Sequence, residues 1–290
     1  MSTSTHQPPS TSSVFTAPTW ITDLYSNFPL VVLDQEDEVG WRETQGDERP
    51  VLRIQPPTTS EHPHYRSWAS PSPTCLRTQL LMLLRDPPVP ITFRDWSNEA
   101  SAPGGTLPAL HLPKENRVVK TDEIRAWLDT THPLAAAEKE FSGMPDQASY
   151  DKALAVAQLV LGRLYPAYLA SLPNQPTNLH LFLPTPPPLA AGLTTPLPAS
   201  LTGDGRDIDR DALIAAGVDA LEALEIVASN ESSKWILRAN HPTPLDALIA
   251  SHVYATYSLA PHSSLRLALE LAPRIQDHLD RVMEAAASGI

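Results

Sequence analysis

Residues 104–129, GGTLPALHLPKENRVVKTDEIRAWLD, contain the pattern that decides the fold. The segment predicts a strand at Thr106–Leu112, a turn, and a second short strand at Arg117–Lys120. Ile124, Trp127 and Leu128 then recur at the three/four spacing of a helix with one apolar face. The stretch therefore predicts strand, turn, strand and helix in direct succession.

A proline lies inside the first of these strands. Pro108 has no backbone N–H to donate, so it is unfavourable in the middle of a hydrogen-bonded ladder. The cis form costs little only for an X–Pro bond. A cis Leu107–Pro108 bond at the start of the strand accommodates this residue. The alternative is a trans proline at a strand end.

The segments around this stretch complete a small α/β unit. PVLRI at 50–54 predicts a first strand, and VPITFRDW at 89–96 predicts another. Between them, apolar residues from Cys75 to Leu84 follow helical spacing, and Pro87 and Pro88 end that helix. Residues 50–129 are therefore predicted to be strand–helix–strand–strand–strand–helix.

The rest of the chain is predicted to be helical or broken by proline. Helices are expected over residues 148–171, with a bend at Pro166, and over residues 209–229. The final segment, SSLRLALELAPRIQDHLDRVMEAA, is expected to form one or two helices divided near Pro273. Residues 172–205, which are rich in proline and threonine, are expected to be a mostly irregular insert. The buried face of the first helix is predicted to contain Leu154, Ala157, Leu161, Leu164 and Tyr168.

One more helix begins near Thr243, in HPTPLDALIASHVYATYSL. The Thr243 side chain can accept a backbone N–H, and Asp246 can reach back, which is a capping box with Asp in place of Glu. Pro244 at the first helical position agrees with this start. His252 falls on the buried face and is expected to be a hydrogen-bonded core histidine.

Charge and composition narrow the possible partners. The chain has 290 residues, with 21 basic and 33 acidic side chains and a net charge of −12. A chain this acidic offers phosphate no basic field, so no nucleic-acid partner is expected. Its one cysteine, Cys75, excludes an internal disulfide. No run approaches the ~20 uninterrupted apolar residues of a membrane span, and no signal peptide is recognised.

The order of a small α/β unit and a helical unit resembles that of glutathione transferases. Their thioredoxin-like half has a strand that follows an apolar residue and a cis proline, and Leu107–Pro108 is similar to that feature. The resemblance implies a mostly α, α+β fold of glutathione-transferase type. It has a thioredoxin-like domain at 50–132 and an all-helical domain at 133–290.

The chain departs from active transferases where they hold glutathione. These enzymes usually carry Glu/Gln-Ser where this chain has Lys120-Thr121, and Lys120 would repel the glutathione amine. Thr121 can still cap the following helix. The usual nucleophile-stabilising position, at the start of the first helix, is open to several residues. The candidates are Ser70, Ser72, Thr74 and Cys75. A helix N-terminus can lower a thiol pKa, but the apolar position of Cys75 favours a packed, inert thiol.

A narrower resemblance is to the metaxins. CLRTQLLMLLRDPPVPITF (75–93), GGTLPALHL (104–112), NHPTPLDALIASHVYATY (240–257) and SSLRLALELAPRIQDHL (263–279) are similar to metaxin segments in order and spacing. LYSNFPLVVL (24–33) resembles a segment that precedes the domain in the smaller fungal members. Active transferases or a cytosolic scaffold of the same fold are the alternatives.

The metaxin resemblance implies a non-enzymatic protein without a cofactor. It implies a peripheral subunit of the mitochondrial sorting and assembly machinery, on the cytosolic face of the outer membrane. The expected partners are the barrel-forming core subunit, the larger metaxin-like subunit and β-barrel precursor proteins. Membrane contact is expected only through these partners.

The first 49 residues are expected to serve contact and not catalysis. Residues 1–18 are Ser-, Thr- and Pro-rich and predict a disordered tail. In the segment 19–49, a short amphipathic helix is predicted to bind a partner, or alternatively to fold back on the core. Its apolar positions are Trp20, Ile21, Leu24, Tyr25 and Phe28. An acidic run follows at 34–38, which is either a solvated loop or a contact for a basic partner.

No catalytic or metal signature is present. The phosphate-loop, dinucleotide, nucleophile-elbow and zinc-protease motifs are all missing. His62 and His64 flank a proline, but two loop histidines without further spaced ligands are more typical of polar surface than of a metal site.

Overall fold

Four short strands form one mixed sheet in the computed structural model, which describes residues 49–58, 62–134, 141–173, 209–229 and 234–290. The strands are β1 (Val51–Ile54), β2 (Thr92–Asp95), β3 (Ala109–Leu112) and β4 (Arg117–Val119). Their spatial order is β2-β1-β3-β4, with β1 parallel to β2 and the other two pairings antiparallel. All four predicted strands are therefore present, each shorter than its apolar pattern.

Two helices complete this half. Helix α1 (Pro73–Leu83) connects β1 to its parallel neighbour β2, and helix α2 (Thr121–Thr131) follows β4 directly. In α2, Ile124 and Leu128 are buried and Trp127 is partly buried against the same cluster. The predicted order strand–helix–strand–strand–strand–helix is confirmed.

The Leu107–Pro108 peptide bond is cis, as the sequence predicted. It lies immediately before β3, so the missing N–H of Pro108 falls outside the ladder that begins at Ala109. Gly104 and Gly105 precede it with φ of 79° and 68°, a region that favours glycine. A second cis bond, Asp86–Pro87, was not predicted.

The second half consists of helices. Two of them begin at the prolines that the sequence analysis identified, Pro244 after its Thr243 cap and Pro273, which divides the last two helices as expected. The helices are α3 (Gln147–Leu159), α4 (Tyr165–Ser171), α5 (Arg210–Ser229), α6 (Pro244–Thr256), α7 (Ser264–Glu270) and α8 (Pro273–Ala287).

Helices α3 and α4 are joined by one turn of π-helix, Val160–Leu164. Pro166 cannot donate to the carbonyl one turn before it, and the wider turn lies just ahead of this position. The predicted distortion at Pro166 thus takes the form of a π turn within a continuous helical run.

The predicted buried face of this run was wrong in part. Leu164 and Tyr168 are buried, but Leu154 is 50% exposed and Leu161 is 43% exposed. The buried face comprises Ala153, Val156, Val160, Leu164 and Ala167. Both faces are apolar, so periodicity alone did not distinguish them. Along the π turn and α4 this face packs closely against α5, with Gly217 of α5 beside Ala167.

This helical run is also the one described helix that is long and apolar enough to cross a membrane. Its 25 residues, Gln147–Ser171, have a mean hydropathy of 1.3 in their most apolar window, and half of that window is buried in the fold. A core helix has the same properties, and burial of Val160 and Leu164 identifies it as one.

Helix α1 is shared by the two hydrophobic clusters of the fold. Cys75 and Met82 pack with the sheet, whereas Leu76, Leu80 and Leu83 pack with the helical half. Its main helical neighbour is α6, whose residues from Leu245 to Thr256 are all buried. Gln79, also buried on α1, donates to the Trp68 carbonyl (2.8 Å) and accepts the Ser70 N–H (3.0 Å).

The start of α6 is the predicted capping box. The Thr243 side chain accepts the Asp246 N–H at 3.4 Å, and Asp246 accepts the Thr243 N–H at 2.7 Å. Asp246 also accepts the Ile236 N–H at 3.1 Å, which ties the preceding loop to the helix. Burial raises the pKa of Asp246 to about 6.

Several sequence predictions fall outside the described residues. These are the tail at 1–18, the segment at 19–48 with its aromatic positions and acidic run, and most of the insert at 172–205.

The contact between α4 and α5 predicts the effect of adding one methyl group. A Cβ on Gly217 would lie 2.2 Å from the Ala167 Cβ and 3.1 Å from Leu265 Cδ1. Gly217→Ala should therefore lower the free energy of unfolding by about 1–3 kcal/mol, because the helices must separate. Denaturant titration measures this. At Gly162 a Cβ meets nothing within 4 Å, so Gly162→Ala should be neutral or stabilising. Equal losses in the two variants would contradict the close packing.

The buried cap predicts a large cost for losing one carboxylate. Asp246→Ala leaves the Thr243 and Ile236 N–H groups without an acceptor in a water-free site, at a cost of about 2–4 kcal/mol. Asp146, the cap of α3, is exposed to water and accepts the Ser149 N–H at 2.7 Å. Asp146→Ala should cost clearly less, since water replaces the lost acceptor. Thermal or denaturant unfolding of both variants checks the difference.

Candidate functional site in the cleft between the two halves

A cleft of about 270 Å³ opens where α1 and α2 meet the helical half. One wall is α1, the facing wall is α2, and the floor is formed by the π turn, the start of α4 and one residue of α6. Its lining residues are Thr74, Arg77, Thr78, Leu81, Thr121, Asp122, Ile124, Arg125, Leu128, Leu161, Tyr165 and His252.

Thr121 lies at one end of this cleft, but it does not cap α2 as predicted. The N-cap residue is Lys120, which has extended backbone angles and makes no side-chain capping bond. Thr121 already occupies the first helical position, and its hydroxyl donates to the Pro108 carbonyl at 2.7 Å. The hydroxyl thus fastens α2 to the cis-proline segment instead of satisfying a helix N–H.

The Lys120 side chain, which the sequence singled out as incompatible with a glutathione amine, is half exposed. Its Nζ lies 3.6 Å from a carboxylate oxygen of Glu123, one turn further along α2. Such an exposed pair contributes little to stability. The residue therefore places an accessible positive charge beside the end of the cleft.

The four candidates for a nucleophile-stabilising group differ in their burial and in their hydrogen-bond partners. Cys75 is fully buried, and burial raises the pKa of its thiol, so the thiolate is disfavoured. Ser70 is also fully buried and donates to the Gln55 carbonyl at 2.8 Å. The Ser72 hydroxyl lies 2.9 Å from that of Thr74. Thr74 lines the cleft, with its hydroxyl donating to the Leu107 carbonyl at 3.3 Å.

Two arginines that the sequence analysis did not single out face the cleft. Arg77 comes from α1 and Arg125 from α2. Arg77 is the one charged residue in PTCLRTQLLML, the sequence of α1, and that isolated charge was the available signal. Burial and the neighbouring Arg125 charge lower the pKa of Arg77.

Arg125 has a partner at the outer edge of the cleft. Its Nε donates to Asp129 at 2.7 Å, and the same carboxylate pairs with Arg85 at the end of α1. Burial opposes ionisation of Asp129, but hydrogen bonds and charge from Arg125 and Arg85 lower its pKa overall. This carboxylate therefore joins the two walls of the cleft at one end.

His252 forms part of the floor. Its Nδ1 lies 2.8 Å from the Leu248 carbonyl, and its ring meets Tyr165 edge-on with centroids 5.3 Å apart. Burial lowers the pKa of His252 to about 4, and the Arg77 charge acts in the same direction. The predicted hydrogen-bonded core histidine is confirmed.

His62 and His64 lie elsewhere, in an aromatic cluster. The His62 ring stacks on Tyr257 with centroids 5.1 Å apart, and His64 Nδ1 lies 2.7 Å from Asp280. No group of three metal-binding side chains occurs within the described ranges. The two histidines thus join the loop before α1 to the helical half.

Solved structures with the same arrangement were found by structural comparison. A glutathione S-transferase from Methylobacterium radiotolerans, in complex with glutathione sulfonate, superposes with a TM-score of 0.50 and 15% identity over 83% of this chain and 94% of that chain. The fold is glutathione-transferase-like.

Two other neighbours are more distant by TM-score. Glutathione transferase Omega 3C from Trametes versicolor gives 0.46 at 11% identity, covering 84% of this chain and 93% of that chain. Maleylacetoacetate isomerase from Anaeromyxobacter dehalogenans gives 0.44 at 14% identity, covering 82% and 90%. No protein-family model matches the chain, and no curated protein matches its sequence.

The buried histidine predicts a pH-dependent stability. Because the pKa of His252 is about 4 in the folded protein and about 6.5 when unfolded, its contribution is complete above pH 6.5 and is lost as pH falls toward 4. His252→Gln removes this titration. As pH falls from 6.5 to 4, the free energy of unfolding of the wild type should decrease by up to about 1.4 kcal/mol per pH unit more than that of the variant. Urea titrations of both proteins at several pH values measure the difference; parallel curves would contradict it.

Proposed function

We propose that this chain is a non-enzymatic, metaxin-like adaptor built on the glutathione-transferase fold. The observation that carries the proposal is the state of Cys75: the one thiol of the chain is fully buried and its pKa is raised. A thiol in that environment supplies neither a nucleophile nor a redox group. Lys120 supports the same conclusion, because a cation replaces the acid or amide that active transferases use for the glutathione amine.

The metaxin-like segments give the proposal its location. The segments at 75–93 and 104–112 form α1, β2 and β3, and those at 240–257 and 263–279 form α6, α7 and much of α8. These elements contribute buried residues to both hydrophobic clusters. We assign the chain to the sorting and assembly machinery, as a peripheral subunit on the cytosolic face of the mitochondrial outer membrane.

The proposed partners are the barrel-forming core subunit and the larger metaxin-like subunit. In this role the chain helps the machinery to recognise β-barrel precursors and insert them. No cofactor is needed for such a role. The net charge of −12 suits contact with basic protein surfaces, and Trp20, Leu24, Tyr25 and Phe28 supply aromatic and apolar anchors.

A pull-down of the tagged full chain from gently solubilised mitochondria tests this assignment. Mass spectrometry should recover a large barrel protein and a second transferase-like subunit. Alanine at Trp20, Leu24, Tyr25 and Phe28 together should reduce their recovery at least about tenfold. Alanine at Thr22, Asp23, Ser26 and Asn27, which lie between these positions, is the matched control and should leave recovery unchanged.

The competing function is a glutathione-dependent transferase, which the fold itself favours. The glutathione sulfonate in the Methylobacterium structure shows that this fold can hold such a ligand. Immobilised glutathione distinguishes the two. The adaptor should pass through the column. Retention that free glutathione competes away and that Cys75→Ala abolishes would overturn the non-enzymatic assignment. A chain recovered alone and outside mitochondria would indicate a cytosolic scaffold.

A further inference from the structure

The cleft contains a positive charge that nothing in the described part of the chain neutralises. Arg77 makes no hydrogen bond or ion pair there, and its Nε is fully buried without an acceptor. A buried guanidinium without a counter-ion is costly, because the protein interior replaces neither its water nor its counter-charge. A structure retains such a group at lower cost when an anion occupies the adjacent space.

A second guanidinium, that of Arg125, adds to the positive charge of the cleft. Arg125 faces the same cleft from α2, and its charge is one cause of the lowered pKa of Arg77. Its carboxylate partner, Asp129, is shared with Arg85 and lies at the edge of the cleft. Asp122 is the one acidic lining residue in the described ranges and makes no ion pair with Arg77. The two arginines therefore leave the cleft with an excess positive charge in a strongly acidic chain.

The remaining surface of the cleft is mostly apolar. Leu81, Ile124 and Leu128 form the walls, and Leu161 with the ring of Tyr165 forms the floor. Leu161 is 43% exposed, an unusual state for leucine in a core helix. A volume of about 270 Å³ is at the small end of ligand pockets. The chemistry of the lining thus matches a small molecule with one anionic end and an apolar body.

We propose that this cleft binds a small amphiphilic monocarboxylate. The carboxylate lies between Arg77 and Arg125, where guanidinium groups can donate paired hydrogen bonds. The apolar body lies against Leu161, Ile124 and Leu128. This site does not use Cys75, and it is independent of the proposed assembly role.

Octanoate is the probe, and isothermal titration calorimetry of the purified full chain is the measurement. Octanoate should bind with a Kd of about 10–1,000 µM and raise Tm by a few degrees, about 2–4 °C at saturation. Acetate tests the anionic end alone, and octan-1-ol tests the apolar body alone. Each should bind at least about tenfold more weakly than octanoate. Equal binding of octanoate and octan-1-ol would overturn the role of the arginines.

Two variants and one control locate the site. Arg77→Gln should weaken octanoate binding by at least about tenfold. Arg163 lies on the exposed face of the π turn, so Arg163→Gln should leave the octanoate affinity unchanged. Leu161→Trp fills the cleft from a half-exposed position and should also abolish binding, which keeps the test valid if Arg77→Gln fails to fold. Unchanged octanoate affinity in Leu161→Trp would overturn the proposal.

The two proposals fail separately. Leu161→Trp should still recover the mitochondrial partners in the pull-down, because its substitution is confined to the cleft. If the wild-type chain binds octanoate but recovers no mitochondrial partners, the adaptor assignment is refuted and the cleft assignment stands.

Discussion

The burial of α1 on both of its faces is the constraint on which the structure depends. Cys75 and Met82 pack on the sheet while Leu76, Leu80 and Leu83 pack on the helical half, so a single helix belongs to two cores. Between the two cores a polar side chain needs partners, and Gln79 is tolerated because both ends of its amide are hydrogen-bonded to the loop before the helix. The neighbouring α6 is equally enclosed, and its side chains Ser251, His252 and Thr256 bond to carbonyls of the same helix.

This constraint also governs the chemistry at the start of α1. A thiol at the first turn of a helix can be activated when it faces a cleft, but Cys75 faces the sheet and is sealed there. The residue that does face the cleft is Thr74, whose hydroxyl is engaged with the segment around the cis proline. Thr121 is held to the same segment from the opposite side. The hydroxyls that adjoin the cis proline therefore hold backbone segments together.

The cleft nevertheless keeps features of a binding site. Its arginines project from α1 and α2 over an apolar floor, and Asp129 braces one end by pairing with Arg85 and Arg125. An adaptor that retained such a cleft would couple a small ligand to the packing of α1 and α2. Because α1 belongs to both cores, occupancy of the cleft would stabilise the two halves together, by mass action on the folded state.

The sequence by itself determined the order of the elements, the cis Leu107–Pro108 bond and the capping box of Thr243 and Asp246, because each depends on residues close together in the chain. It left three matters to tertiary structure. The buried face of the run from α3 to α4 was predicted wrongly in part because its leucine and alanine/valine faces are both apolar, and only packing against other helices selects one of them, as Gly217 of α5 does at Ala167 in α4. Thr121 was predicted to cap α2, but it lies inside the helix and its hydroxyl donates to the Pro108 carbonyl, a contact that only the tertiary structure creates. Arg77 and Arg125 lie on separate helices, and only the packing of α1 beside α2 brings their charges into one cleft.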